Sequence, residues 1–141
     1  MPTFTSFALT TFLWLGVTLS ASSAEVSGVL EGKEFHGAYA AVLPFGADEG
    51  SIRCVVSSES LDPAMPMPKS MAIMIKLPTA PGTYTTGKDL LITIFTPPSQ
   101  NSNVATGTAT VAKMDDGQLC VHLEFTDGEN KASGDFIVTV P

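Results

Sequence analysis

Four methionines lie within ten residues of this chain and form its densest set of potential ligands. They run through the segment MPMPKSMAIM, where two alternate with prolines and two lie in an apolar run. Thioether sulfur binds the soft ions Cu(I) and Ag(I) and needs no deprotonation. One alternative is therefore a periplasmic soft-metal site with Cu(I) as its cofactor, to which two histidines would add nitrogen. The candidate ligands are Met65, Met67, Met71, Met74, His36 and His122.

The apolar run that carries Met71 and Met74 also has a simpler interpretation. Methionine is flexible and commonly fills gaps in apolar cores. In an extended strand, Met71 shares one face with Ile73 and Ile75, whereas Met74 lies in the opposite row with Ala72. The pattern favours core packing for these two methionines over metal binding.

Met65 and Met67 lie in a different setting, the loop Ser58–Ser70, which three prolines keep from regular ladder pairing. Methionines on exposed segments make adaptable contacts with partners. Loops carried by a rigid β-scaffold are also where binding usually occurs. We therefore expect Met65 and Met67 to be the binding residues, and the partner to be a protein or a cell-envelope component.

Cys120, His122 and Glu124 alternate along one predicted strand and so share a face. A hydrolase that uses His122 and Glu124 is a third alternative. A glutamate beside a histidine on a solvent-exposed strand face accounts for this pattern without any catalytic role. A catalytic zinc site needs three protein ligands. If Cys120 forms a disulfide, His122 and Glu124 are the two candidate ligands that remain on this strand. The chain has no Gly-x-Ser-x-Gly elbow and no glycine-rich phosphate loop. We expect a protein that is not an enzyme, without catalytic residues.

The chain has two cysteines, Cys54 and Cys120. An isolated pair in an oxidising compartment usually forms a disulfide, so a Cys54–Cys120 bond is predicted. Two buried free thiols are the alternative. The alternation along the two predicted strands places Cys54 on the inward face and Cys120 on the outward face, which favours free thiols over a disulfide.

The compartment is predicted from the first 24 residues. The apolar run Phe7–Leu19 is too short to span a bilayer, and small residues follow it up to Ala24. This is the pattern of a secretory signal peptide, with Ser22 and Ala24 at the −3 and −1 positions of the cut. We expect residues 1–24 to be a cleaved signal peptide and residues 25–141 to be one periplasmic or secreted domain.

The charge balance argues against nucleic acid as a partner and against the membrane surface as a location. The formal net charge is −7, and the seven lysines and arginines are scattered along the chain. An acidic surface without a basic cluster is repelled by nucleic acid phosphates and by anionic lipid headgroups. Neither nucleic acid binding nor membrane association after signal cleavage is expected. The oligomeric state is left open.

Residues 25–141 alternate between short β-type runs and turn signals, with no sustained helical period. About eight strands are predicted in an all-β domain, either an antiparallel β-sandwich or a small barrel. The hairpin Gly28–Lys33, the turn Gly82-Thr83-Tyr84 and the strand Ser133–Phe136 resemble those of small exported bacterial β-domains of unassigned function. The resemblance implies the fold and no activity. We expect an exported, non-catalytic binding or accessory domain.

Overall fold

Ten strands form one antiparallel sheet that curls into a half-barrel. The computed structural model describes residues 23–44, 47–62, 64–97, 100–104 and 106–141. The strands are β1 (Ser23–Leu30), β2 (Lys33–Val42), β3 (Ser51–Ser57), β4 (Ala72–Pro78), β5 (Gly82–Thr85), β6 (Leu91–Thr96), β7 (Gln100–Asn103), β8 (Gly107–Lys113), β9 (Gln118–Asp127) and β10 (Asn130–Thr139). Their order across the sheet is β5-β8-β9-β10-β1-β2-β3-β4-β6-β7.

The inner face of the curled sheet holds the main apolar core. Side chains alternate between the two faces of a strand, so every second residue of β9 points inward. The inward residues of β9 are Leu119, Val121, Leu123 and Phe125, and all four are buried. Strands β3, β4, β6 and β10 contribute isoleucine, valine, leucine and phenylalanine to the same cluster. The inward and outward faces of β3, β4, β9 and β10 therefore agree with the sequence pattern.

Glycines on the inner face allow the sheet to curl tightly. A Cβ at Gly28 would overlap the carbonyl oxygen of Lys131 on the neighbouring strand. A Cβ at Gly107 on β8 would lie 2.8 Å from Cδ1 of Ile92 on β6, which is not a neighbour of β8 in the sheet. The two walls of the half-barrel thus approach each other where side chains are missing.

A second, smaller apolar cluster covers part of the outer face. Val55 of β3 and Ala72 of β4 are buried there, together with Leu43. Leu61, from the loop between β3 and β4, packs against this cluster. The loop is therefore folded onto the sheet, with Pro66 and Pro68 buried.

The fold differs from the sequence-based prediction in two respects. The sheet has ten strands instead of about eight, because Gly82–Thr85 and Gln100–Asn103 also pair as β5 and β7. Both are short edge strands, and polar or glycine-containing sequences conceal them. The strands form one curled sheet, so a sandwich of two sheets is not what these residues adopt.

The predicted Cys54–Cys120 disulfide is wrong for this structure, in which both cysteines are free. Cys54 points into the inner core from β3, and Cys120 lies on the outer face of β9. Strands β10, β1 and β2 separate the two. The two side chains therefore point to opposite faces of the sheet, and cysteines whose Cβ atoms point apart cannot be bridged without backbone movement.

The predicted signal peptide lies outside the described residues up to residue 22, while Ser23 and Ala24 begin β1. Among the described residues, no helix has the length and apolar character needed to cross a membrane.

Candidate functional site

The outer face of the sheet from β5 to β2 carries two polar rows that run across the strands. Residues that are paired in register stand side by side on one face. The first row is Thr85, Thr108, Glu124, Ser133, Ser27 and His36. The second row is Thr83, Thr110, His122, Asp135 and Glu25. The consecutive pairs β8–β9, β9–β10 and β1–β2 and the long-range pairs β5–β8 and β10–β1 set these registers and bring together residues that are distant in sequence.

His122 is held between two carboxylates at the centre of this face. Its Nδ1 lies 2.7 Å from Oδ1 of Asp135, the register partner on β10. Its Nε2 lies 3.0 Å from Oε2 of Glu124, two residues further along β9. A carboxylate can only accept, so both ring nitrogens must donate, and the ring that satisfies both contacts is the imidazolium.

The two contacts also set the charge of His122. The hydrogen bonds that His122 donates to Glu124 and Asp135 raise the pKa of His122 above its ordinary value, against a smaller opposing effect of burial. The other neighbours on this face are the uncharged Thr110 on β8 and Glu25 beyond Asp135 on β1. The side chain of His122 is 47% exposed, so solvent weakens the two ion pairs.

A cleft that combines hydroxyl groups with apolar surface crosses the outer face next to His122. Its volume is about 810 Å³, and it spans β5, β8, β9, β10 and β1. Glu124 and Lys131 lie on its walls, and Gly28, Gly107, Phe125 and Ala132 contribute to its lining. Its hydroxyl-bearing residues are Ser27, Thr85, Thr86, Thr106, Thr108, Thr126 and Ser133. The cleft thus presents many hydroxyls, one carboxylate and one ammonium group.

A smaller cavity of about 400 Å³ lies between β1 and β2, where the ladder has a bulge between Ser23 and Val26. His36 and Ser27 line it, and Ser27 also lines the larger cleft. The Nε2 of His36 is 3.5 Å from Oε1 of Glu34, with both side chains largely exposed. His36 and His122 are three strands apart, so the structure does not bring the two histidines together.

The four methionines lie in three different environments. Met71 packs against the inner core, and Met74 packs against the outer cluster. Met65 and Met67 are exposed in the loop between β3 and β4. The six candidate soft-metal ligands therefore do not surround one point, and a soft-metal site would rest on Met65 and Met67.

No group of three histidine, cysteine, aspartate or glutamate side chains that could hold a metal ion occurs within the described ranges. Around His122, the carboxylates of Asp135 and Glu124 are already directed at the ring nitrogens. Cys120 lies on the same face, and burial raises the pKa of its thiol, which disfavours the thiolate that a metal requires.

The sequence pattern identified His122 and Glu124 as neighbours but missed Asp135. Period-two alternation places residues of one strand on a common face, and this was sufficient for His122 and Glu124. Asp135 joins them through the β9–β10 register. The turn Asp127–Asn130 could have given that register, because Asn130 pairs with Asp127 and the ladder continues to Asp135 and His122.

No match to this chain was found in comparisons with protein-family models, curated proteins and solved structures. The functional proposals below therefore rest on the geometry of this chain alone.

Proposed function

We propose that this chain is an exported, non-catalytic binding domain that holds a protein partner through Met65 and Met67. The observation that carries the proposal is the alternation of exposed methionines with buried prolines. Met65 is 51% exposed and Met67 is 39% exposed, whereas Pro66 and Pro68 are buried. The segment thus presents both thioethers to solvent, while the two prolines between and beside them pack against the protein.

Local hydrogen bonds hold the segment in place. The amide of Met65 donates to the carbonyl of Asp62 at 3.1 Å, and the amide of Ala64 donates to the side chain of Asp62 at 2.9 Å. The amide of Met67 donates to the carbonyl of Met65 at 2.8 Å. A segment that is already ordered loses less conformational entropy when it binds.

The partner that fits this surface is a protein with an apolar pocket. Two adjacent thioethers offer adaptable apolar area. The net charge of −7 opposes nucleic acid and anionic membranes as partners. The exported location follows from the predicted signal peptide and belongs to the same proposal.

The test compares partner binding by the wild-type full chain and by two variants. The double variant Met65→Gln/Met67→Gln keeps side-chain length and removes apolar area. Met114→Gln is the matched control, because Met114 is 45% exposed but lies in the connection between β8 and β9. A photocrosslinking methionine analogue at position 67 identifies the partner, whose affinity is then measured with both proteins purified.

We expect the double variant to weaken binding about 100-fold or more, since burying one methionine contributes about 2 kcal/mol. Met114→Gln should leave the affinity unchanged. Equal affinity for wild type and double variant, with unchanged circular dichroism, would rule out this surface.

A further inference from the structure

We propose that the cleft on the outer face binds a neutral oligosaccharide, with Glu124 as its main charged hydrogen-bond acceptor. This site is separate from the Met65–Met67 surface, which lies on the loop between β3 and β4. The inference therefore stands or falls independently of the proposed protein partner.

The lining of the cleft matches the chemistry of a sugar chain. Serine and threonine hydroxyls both donate and accept, as sugar hydroxyls do, so either partner can adjust its hydrogen atoms. Seven such residues surround the cleft. They lie along five neighbouring strands, and four interstrand spacings extend over roughly 19 Å. A linear ligand with hydroxyls repeated along its edges fits such a groove.

The charges in the cleft favour a neutral ligand over an anionic one. Among the described residues that line it, Glu124 and Lys131 are the ionisable ones, and their formal charges cancel. The chain as a whole is acidic, which repels polyanions at a distance. A uronic acid chain or a phosphorylated glycan would gain one ammonium contact and meet a carboxylate in the same groove.

Glu124 has a fixed orientation before any ligand arrives. The imidazolium of His122 donates to Glu124 at 3.0 Å and to Asp135 at 2.7 Å. His122 and Asp135 are therefore positioning residues for a carboxylate that faces the cleft. A carboxylate has several lone-pair sites, so Glu124 can accept from a sugar hydroxyl while it remains bonded to His122. Hydrogen bonds to a charged group are about twice as strong as neutral ones.

The hydrogen bond from His122 to Glu124 predicts that the affinity for the oligosaccharide falls as the pH rises. When His122 loses its proton, one ring nitrogen becomes an acceptor that faces a carboxylate. The charged or titratable groups on this face around His122 are the carboxylates of Glu124, Asp135 and Glu25, the ammonium of Lys131 and the thiol of Cys120, and Thr110 on β8 is uncharged. The carboxylates cannot replace the lost donor, because a carboxylate only accepts.

The test is an amide NMR titration of the full chain with cellotetraose, chitotetraose and maltotetraose, and with trigalacturonate as the anionic probe. At about 20 mM ligand, a Kd on the order of 1 mM already gives near-complete occupancy. We expect saturable shifts of Thr108, Glu124 and Ser133 with at least one neutral sugar, and none with trigalacturonate.

Glu124→Gln should weaken that binding about tenfold or more while the other amide resonances stay in place. Glu34→Gln is the matched control, because Glu34 also neighbours a histidine on the outer face but lies outside the cleft. Asp135→Asn should shift the pH dependence of the Kd to lower pH, because it removes one of the acceptors that raise the pKa of His122. The proposal is overturned if no neutral sugar gives saturable shifts, if trigalacturonate binds more tightly, or if Glu124→Gln binds as well as Glu34→Gln.

Discussion

At the scale of the residue, His122 shows how a pair of hydrogen bonds controls a charge. Glu124 and Asp135 both stabilise the imidazolium and raise the pKa of His122. Because folding raises this pKa, the stabilisation is fully present below about pH 6.5, the value of an unperturbed histidine. It is lost as the pH rises through the pKa of the folded protein. Exposure of the site keeps the effect on the free energy of unfolding small.

The first prediction concerns the titration of His122. Asp135→Asn and Glu124→Gln should each lower the pKa of His122, because each removes one acceptor that stabilises the charged ring. The measurement is the pH dependence of the His122 ring proton shifts by NMR. Glu34→Gln serves as the control and should leave the His122 curve unchanged. A His122 pKa that is the same in all four proteins would contradict the hydrogen-bonded arrangement.

Gly134 provides a second prediction at the residue scale. Its φ is +148°, and a Cβ there would overlap the carbonyl oxygen of Glu25 on β1. Gly134→Ala should therefore lower the free energy of unfolding by about 3 kcal/mol. Gly87→Ala is the control, because Gly87 also has a positive φ, +85°, but nothing within 4 Å of its Cβ.

Gly87→Ala should cost only about 1 kcal/mol, the cost of the backbone conformation without a clash. Urea unfolding with a common m-value separates the two effects. Similar losses in both variants would show that steric contact between β1 and β10 is not what Gly134 relieves.

At the scale of the element, alternation within one strand is easier to predict than contact between strands. The inward rows of β3 and β9 follow directly from period-two patterns. The outer cluster around Val55 does not, because it depends on the loop between β3 and β4 folding back. Leu61, Pro66 and Pro68 are the apolar residues through which the loop contacts the sheet or is buried. The sequence does not predict this contact, because loops of such composition are ordinarily exposed.

Methionine oxidation tests the placement of this loop and of β4. Dilute peroxide should oxidise Met65, Met67 and Met114 first, since these side chains are exposed. Met71 and Met74 should react several-fold more slowly, because each packs against a cluster. Peptide mass spectrometry over a time course gives the five rates.

The same oxidation experiment with equimolar Ag(I) addresses the soft-metal alternative. We expect the rates of Met65 and Met67 to be unchanged, since two thioethers without further ligands hold the ion weakly. Selective, stoichiometric protection of Met65 and Met67 would favour the metal site over the protein-binding surface.

At the scale of the whole molecule, the strand order is what the sequence does not reveal. Strand β5 follows β4 in sequence, yet it pairs with β8 at the far edge of the sheet. Nothing in the run Gly82–Thr85 specifies Gly107–Lys113 as its partner, because both runs alternate threonine with small or aromatic residues. The cleft depends on this pairing, since β5 and β8 form one end of it. For that reason the sequence pattern does not predict the cleft.

The global arrangement makes its clearest prediction for the two cysteines. Burial raises the pKa of the Cys54 thiol to about 12, so it is neutral and shielded in the folded protein. Cys120 is partly exposed on the opposite face of the sheet. Iodoacetamide should add one group per native chain, slowly and at Cys120, and two groups in denaturant without reductant. A native disulfide would allow no addition under either condition, and it would require Cys120 to leave the outer face and meet Cys54. Intact mass spectrometry therefore tests whether the two cysteines lie on opposite faces of the sheet.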